Sequence, residues 1–118
     1  MTKRFRKAFA PHPSPKYDTA PVNELADEIV YVCGSPMFDN IIDRRDMFED
    51  KIVEAFDGDF DPELDVIVDF GDPLVFAMMV CYAAILCVDN DVLGSSTPIT
   101  VGRYSRATNK YVTHDIWF

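Results

Sequence analysis

The alternation of apolar and polar residues along this chain changes period several times, and each change marks an element. From Asn23 the apolar residues Leu25, Ala26, Ile29, Val30 and Cys33 fall on one stripe of a helix, with Asn23 placed to cap it. Gly34, followed by Ser35 and Pro36, supplies the stop. A second helix is predicted from Asp43 as N-cap, with Asp46 three residues on in the manner of a capping box, and it ends at Gly58. Met47, Phe48, Ile52, Ala55 and Phe56 make its buried stripe, while Asp46, Glu49, Asp50 and Glu54 make a wet, acidic face.

The segment after it has two readings. Leu64, Val66, Val68 and Phe70 alternate with Glu63, Asp65, Ile67 and Asp69, a period of two that suits a half-buried strand with the first set facing inward. Asp61-Pro62 is also a good helix start. Alternation gives the strand the edge. Asp72-Pro73 then opens a run that is apolar on all sides up to Val88, which reads as a buried helix. Its 16 residues fall short of the roughly 18–20 of a membrane span, and no basic residue anchors either end. The final segments "ITVGRYS" and "KYVTHDIWF" are rich in β-branched and aromatic residues and flank a short polar link, which predicts a C-terminal β-hairpin.

Residues 1–21 lack apolar periodicity and contain Pro11, Pro13, Pro15 and Pro21, so they read as a flexible arm. The expected organisation is that basic arm followed by one acidic domain over residues 22–118. Its fold class is α+β, with about three helices and a small antiparallel sheet that includes the hairpin. A length of 118 residues fits one core.

Charge sharpens this picture. The net charge of −9 is segregated: residues 1–17 carry five bases and no acid, whereas residues 22–91 carry 18 acids against Arg44, Arg45 and Lys51. Such a middle repels nucleic acid and anionic membrane and attracts basic partner surfaces. Solubility is the competing explanation. Three cysteines without paired spacing read as buried thiols in a reducing compartment, and no secretory signal pattern opens the chain, so a cytoplasmic location is expected.

The densest acids form a comb, "FDGDFDPELDVIVDFGD", residues 56–72. A calcium loop counted from Asp57 fits through Asp61 but meets Pro62 and Val68 where glycine and glutamate are needed. Counted from Asp89 it meets Leu93 and Thr100 at ligand positions. No GxSxG, HExxH, P-loop or dinucleotide fingerprint is present, and His12 and His114 lie in a proline-rich stretch and a strand. An enzyme, a metal and a cofactor are therefore not expected. The stretch "GRYSRATNKY", residues 102–111, joins aromatic and basic residues, but a hairpin showing its polar face to water explains it as well.

Carboxylates in a regular row present charge to the Arg and Lys side chains that DNA-handling proteins use for phosphates. On that reading the partner-binding residues are Asp43, Asp46, Glu49, Asp50 and Glu54 of the helix, with Asp57, Asp59, Asp61, Glu63, Asp65 and Asp69 of the comb. The stretch "DNIIDRRDMFEDKIVEAFD", residues 39–57, resembles a segment of the T7-type phage anti-restriction proteins of the Ocr family. The shared theme is Asp39, Ile41, Asp43, Asp46, Met47, Asp50, Ile52, Ala55 and Asp57. The resemblance implies a phage-encoded DNA mimic that sits in the basic groove of a host DNA- or RNA-handling protein. The alternative is a small assembly module that oligomerises through its apolar helix and terminal hairpin.

Overall fold

The structure is a computed structural model that describes residues 4–13, 18–33, 45–57, 59–70, 73–89 and 98–117, with backbone alone for 45–48 and 86–89. In chain order the elements are β1 (Phe5–Ala10), α1 (Ala20–Leu25), β2 (Ala26–Tyr31), α2 (Arg45–Phe56), β3 (Val66–Val68), α3 (Pro73–Asp89), β4 (Ile99–Ser105) and β5 (Lys110–Ile116). The strands form one sheet in the order β2-β1-β3-β4-β5. β1 pairs parallel with both β2 and β3, β3 pairs parallel with β4, and the β4–β5 pair is antiparallel. Helices and a sheet coexist as expected. The sheet itself is a correction: it is mixed and mostly parallel, not a small antiparallel one.

A parallel sheet needs cover on both faces, and two core clusters supply it. On one face Phe9, Ile67, Ile99 and Val101 pack with Ile52 and Phe56 of α2 and Val75, Met79 and Ala83 of α3. On the other face Ala8, Ala10, Val66 and Val68 pack with Val22 and Leu25 of α1. The β1–α1–β2 crossover runs one way along the sheet with its helix on one face. The crossovers through α2 and α3 run the other way with theirs on the opposite face. Reversing direction and face together keeps a single hand throughout.

Three further expectations are corrected. Residues 5–10 are not part of a flexible arm: β1 is bonded on both sides and central to the sheet. The strand stops where Pro11 removes an N–H, so the prolines follow the element instead of excluding it. The helix expected from Asn23 is α1 ending at Leu25, after which Ala26–Tyr31 is the edge strand β2. Registry with β1, from Phe5↔Ala26 to Ala10↔Tyr31, overrides the local helical stripe. The strand of the comb is shorter than the alternation suggests. Only Val66–Val68 pair, all three are buried because both faces are covered, and Leu64, expected inside, is 47% exposed.

α2 lies within the helical segment the sequence predicts and α3 runs one residue past the predicted Val88, although the caps assigned to Asp43 and Asp72 and the stops at Gly34 and Gly58 fall outside the described residues. α3 is buried along Val75, Met79 and Ala83, but Leu74 and Ile85 are 50% and 53% exposed. With Ala77 and Cys81 they form an uncovered stripe.

Candidate functional site

The comb is answered by the chain's own basic start. The Ala8↔Val66 register carries Arg6 alongside Leu64, whose carbonyl accepts the Arg6 N–H at 2.8 Å. From there the Arg6 guanidinium donates from Nε to Asp65 Oδ1 at 3.0 Å and from Nη2 to Oδ2 at 2.7 Å, a two-pronged pair. The backbone N–H groups of Lys7 and Asp61 donate to the same carboxylate at 3.2 and 2.8 Å. Asp65 is thus fully buried and fully served. Donating to Asp65, helped by the charge of that carboxylate and despite the desolvation, holds the Arg6 guanidinium still more firmly protonated. Lys7 Nζ lies 2.8 and 2.9 Å from the two carboxylate oxygens of Asp59. Asp61 Oδ1 accepts the N–H of Glu63 at 2.9 Å, a local turn.

Asp69, just past β3, is half-buried, and its Oδ1 accepts the Tyr104 N–H at 3.3 Å. Burial pushes its carboxyl up from the ordinary value, with that N–H and the charge of Arg103 opposing. The proposed row of acids is therefore split. Asp59 and Asp65 are in internal ion pairs, and Asp69 faces a different part of the molecule. Asp43 and the side chain of Asp46 lie outside the described residues.

What stays outward is carried mainly by α2. Asp50, Glu54 and Asp57 are exposed, Glu49 is partly exposed, and Glu63 is exposed in the turn beyond. The Asp57 N–H bonds the Val53 carbonyl at 2.8 Å, continuing the last turn, so spacings of four and three place Asp50, Glu54 and Asp57 on one side. Ile52 and Phe56 hold the helix by its other side against the sheet.

A second feature lies at the carboxyl ends of the strands. A cleft of about 850 Å³ opens between the start of α1 and the turn joining β4 to β5. Asp18, Glu24 and Asp69 supply carboxylates, Phe70, Tyr104 and Tyr111 supply walls, and Arg106 and Asn109 stand in the turn. The Tyr104 and Tyr111 rings meet edge to face, with centroids 5.7 Å apart. In open sheets with parallel strands the crevice outside the carboxyl ends, where the direction of winding reverses, is the usual ligand position. Here winding reverses between β1 and β3, and the cleft lies beside that point.

Sequence reasoning missed this cleft. Its residues come from three separated segments, and the one signal was the aromatic-basic stretch 102–111, which supplies Tyr104, Arg106, Asn109 and Tyr111. Other chemical candidates are accounted for locally. His12 is buried at the end of β1 with Nδ1 2.9 Å from the Pro13 carbonyl oxygen, and His114 is exposed on β5. Among the described residues no group of three or more His, Cys, Asp or Glu is placed to hold a metal, and no helix is long and apolar enough to cross a membrane. Comparisons with models of protein families, with curated proteins and with solved structures find no match.

Proposed function

We propose that this protein is a non-enzymatic, phage-encoded inhibitor that occupies a basic groove of a host nucleic-acid-handling protein, using an acidic face centred on α2. The observation that carries this reading is the exposed set Asp50, Glu54 and Asp57 on one side of a helix whose other side is locked into the core. At 1.5 Å per residue these three carboxylates span roughly 10 Å, within reach of neighbouring Arg and Lys side chains that otherwise contact phosphates. The resemblance over residues 39–57 spans this same helix, Arg45–Phe56. The comb contributes less than its composition suggests, because Asp59 and Asp65 already have partners of their own.

Recovery from a bacterial lysate tests the reading. Immobilised wild-type protein should retain a DNA- or RNA-handling enzyme at low salt and release it to added duplex DNA, with retention falling as the Debye length shrinks to about 3 Å near 1 M salt. The charge-reversed variant Asp50→Lys/Glu54→Lys/Asp57→Lys should retain none of it. Retention unaffected by DNA, by salt or by the variant would count against mimicry.

The exposed stripe Leu74, Ala77, Cys81 and Ile85 on α3 favours a second reading, a self-assembling module whose acids serve solubility. Sedimentation separates the two: an oligomer that Leu74→Glu/Ile85→Glu dissociates, and that the α2 variant leaves intact, supports assembly.

A further inference from the structure

The cleft beyond β3 and β4 lies on the α1 face, across the sheet from α2, and asks for a ligand of its own. We propose that it binds a guanidinium group, carried by a free small cation or by an arginine side chain of a peptide. Its volume of about 850 Å³ lies within the roughly 300–1,000 Å³ of sites that take small molecules. Among the described residues three carboxylates line it against the guanidinium of Arg106, and counting also Arg103, whose charge reaches Asp69, the balance stays negative, which disfavours phosphates and favours a cation.

Geometry narrows the class further. Among the described residues the hydrogen bond Asp69 accepts from another residue is the long one from the Tyr104 N–H, leaving acceptor capacity on a carboxylate already half out of water. A bound cation would restore what burial withdraws from it. Tyr104, 40% exposed, and Tyr111 put aromatic surface on the cleft, and guanidinium is the side-chain cation that both stacks on aromatic rings and meets carboxylates with a fork of donors. Tyr104 is held in place: its hydroxyl donates to Asn109 Oδ1 at 2.9 Å, and Asn109 turns the chain at φ 55°, in the left-handed region. A wall fixed before binding loses less freedom on binding. Arg106 adds a donor at the rim, which suits a ligand that carries a carbonyl beside its guanidinium.

Amide resonances followed by NMR during titration test this without reference to α2. Arginine amide and an acetylated Gly-Arg-Gly amide peptide serve as probes, with adenosine monophosphate as the anionic control. Saturable shifts at Tyr104, Asn109 and Tyr111 are expected with both cationic probes and absent with the nucleotide. Glu24→Gln/Asp69→Asn should weaken binding about tenfold or more. Glu24→Gln alone, on an exposed position of α1, should weaken it in the same direction and keeps the test standing if the Asp69 change disturbs the sheet. Tighter binding of the peptide assigns the site to a side chain of a larger partner, and equal affinity assigns it to a free cation. No shifts up to about 10 mM probe would overturn the proposal, as would binding insensitive to both variants or preference for the nucleotide.

Discussion

Asp65 and Asp69 stand at opposite ends of the same short strand, and their surroundings treat a negative charge in opposite ways. Asp65 is buried with a guanidinium and two backbone N–H groups on it. Among the described residues Asp69 accepts from another residue only the long bond of the Tyr104 N–H, and it has lost much of its water. Burial therefore raises the Asp69 pKa, and the folded state holds that proton more firmly than the unfolded chain does. Stability from this group is fully present below the unfolded carboxyl value and is lost as pH rises through the folded one. Asp69→Asn keeps an acceptor for the Tyr104 N–H and removes the titration. The variant should match wild type near pH 3 and exceed it in stability at pH 7, read by urea denaturation at both. A wild type that is the more stable at pH 7 would contradict this account of the site.

At the scale of elements, the local period was legible and the pairing was not. α2 and α3 are visible in sequence because a helix satisfies its own backbone, so its stripe is written within a few residues. β1 is hidden because Arg6 and Lys7 look solvated until β3 brings Asp65 and Asp59 beside them. β2 is hidden because the stripe from Leu25 to Cys33 runs from the last residue of a short helix straight into a strand. Ile67 was expected to face outward, yet it is buried because α2 and α3 cover the face it points to. Gly102 of β4 shows how closely the layers approach: a Cβ there would lie 3.2 Å from Val68 Cγ1 and 3.4 Å from both Leu25 Cδ2 and Tyr111 Cδ1. Ala at this position must push its neighbours slightly, and Val must push them further. Gly102→Val should lower stability by about 1–3 kcal/mol, with Ala between it and wild type, as overpacking in a core does. Urea midpoints with unchanged slope would measure this, and a neutral Val would mean that α1 does not lie tightly on the sheet.

Over the whole molecule, charge that is segregated along the chain is partly recombined in space. The basic start folds onto the acidic comb, so the outward acidic face shrinks to α2 and the turn at Glu63, and only that part of the candidate surface could be read from the sequence. The cleft could not, because Asp18–Glu24, Asp69–Phe70 and Tyr104–Tyr111 meet only once the sheet is ordered. The same topology decides what residues 5–10 are for. A flexible arm could be removed without consequence, whereas a central strand cannot. Arg4 pairs with Asp27 at 2.6 Å between two exposed side chains, so Arg4→Ala should change stability by no more than about 1 kcal/mol. Phe9 is fully buried, stacked on Phe56 with ring centroids 4.7 Å apart and edge to face with Phe60 at 5.5 Å. Phe9→Ala should lose about 3–5 kcal/mol and still fold if the remaining core suffices. Deleting residues 1–10 strips bonding partners from both β2 and β3 and leaves Asp65 buried without its guanidinium. That truncated chain should show no cooperative thermal transition by circular dichroism. A truncated chain that melts cooperatively near the wild-type temperature would return β1 to the status of an appendage, and with it the ion pairs that now quiet the comb.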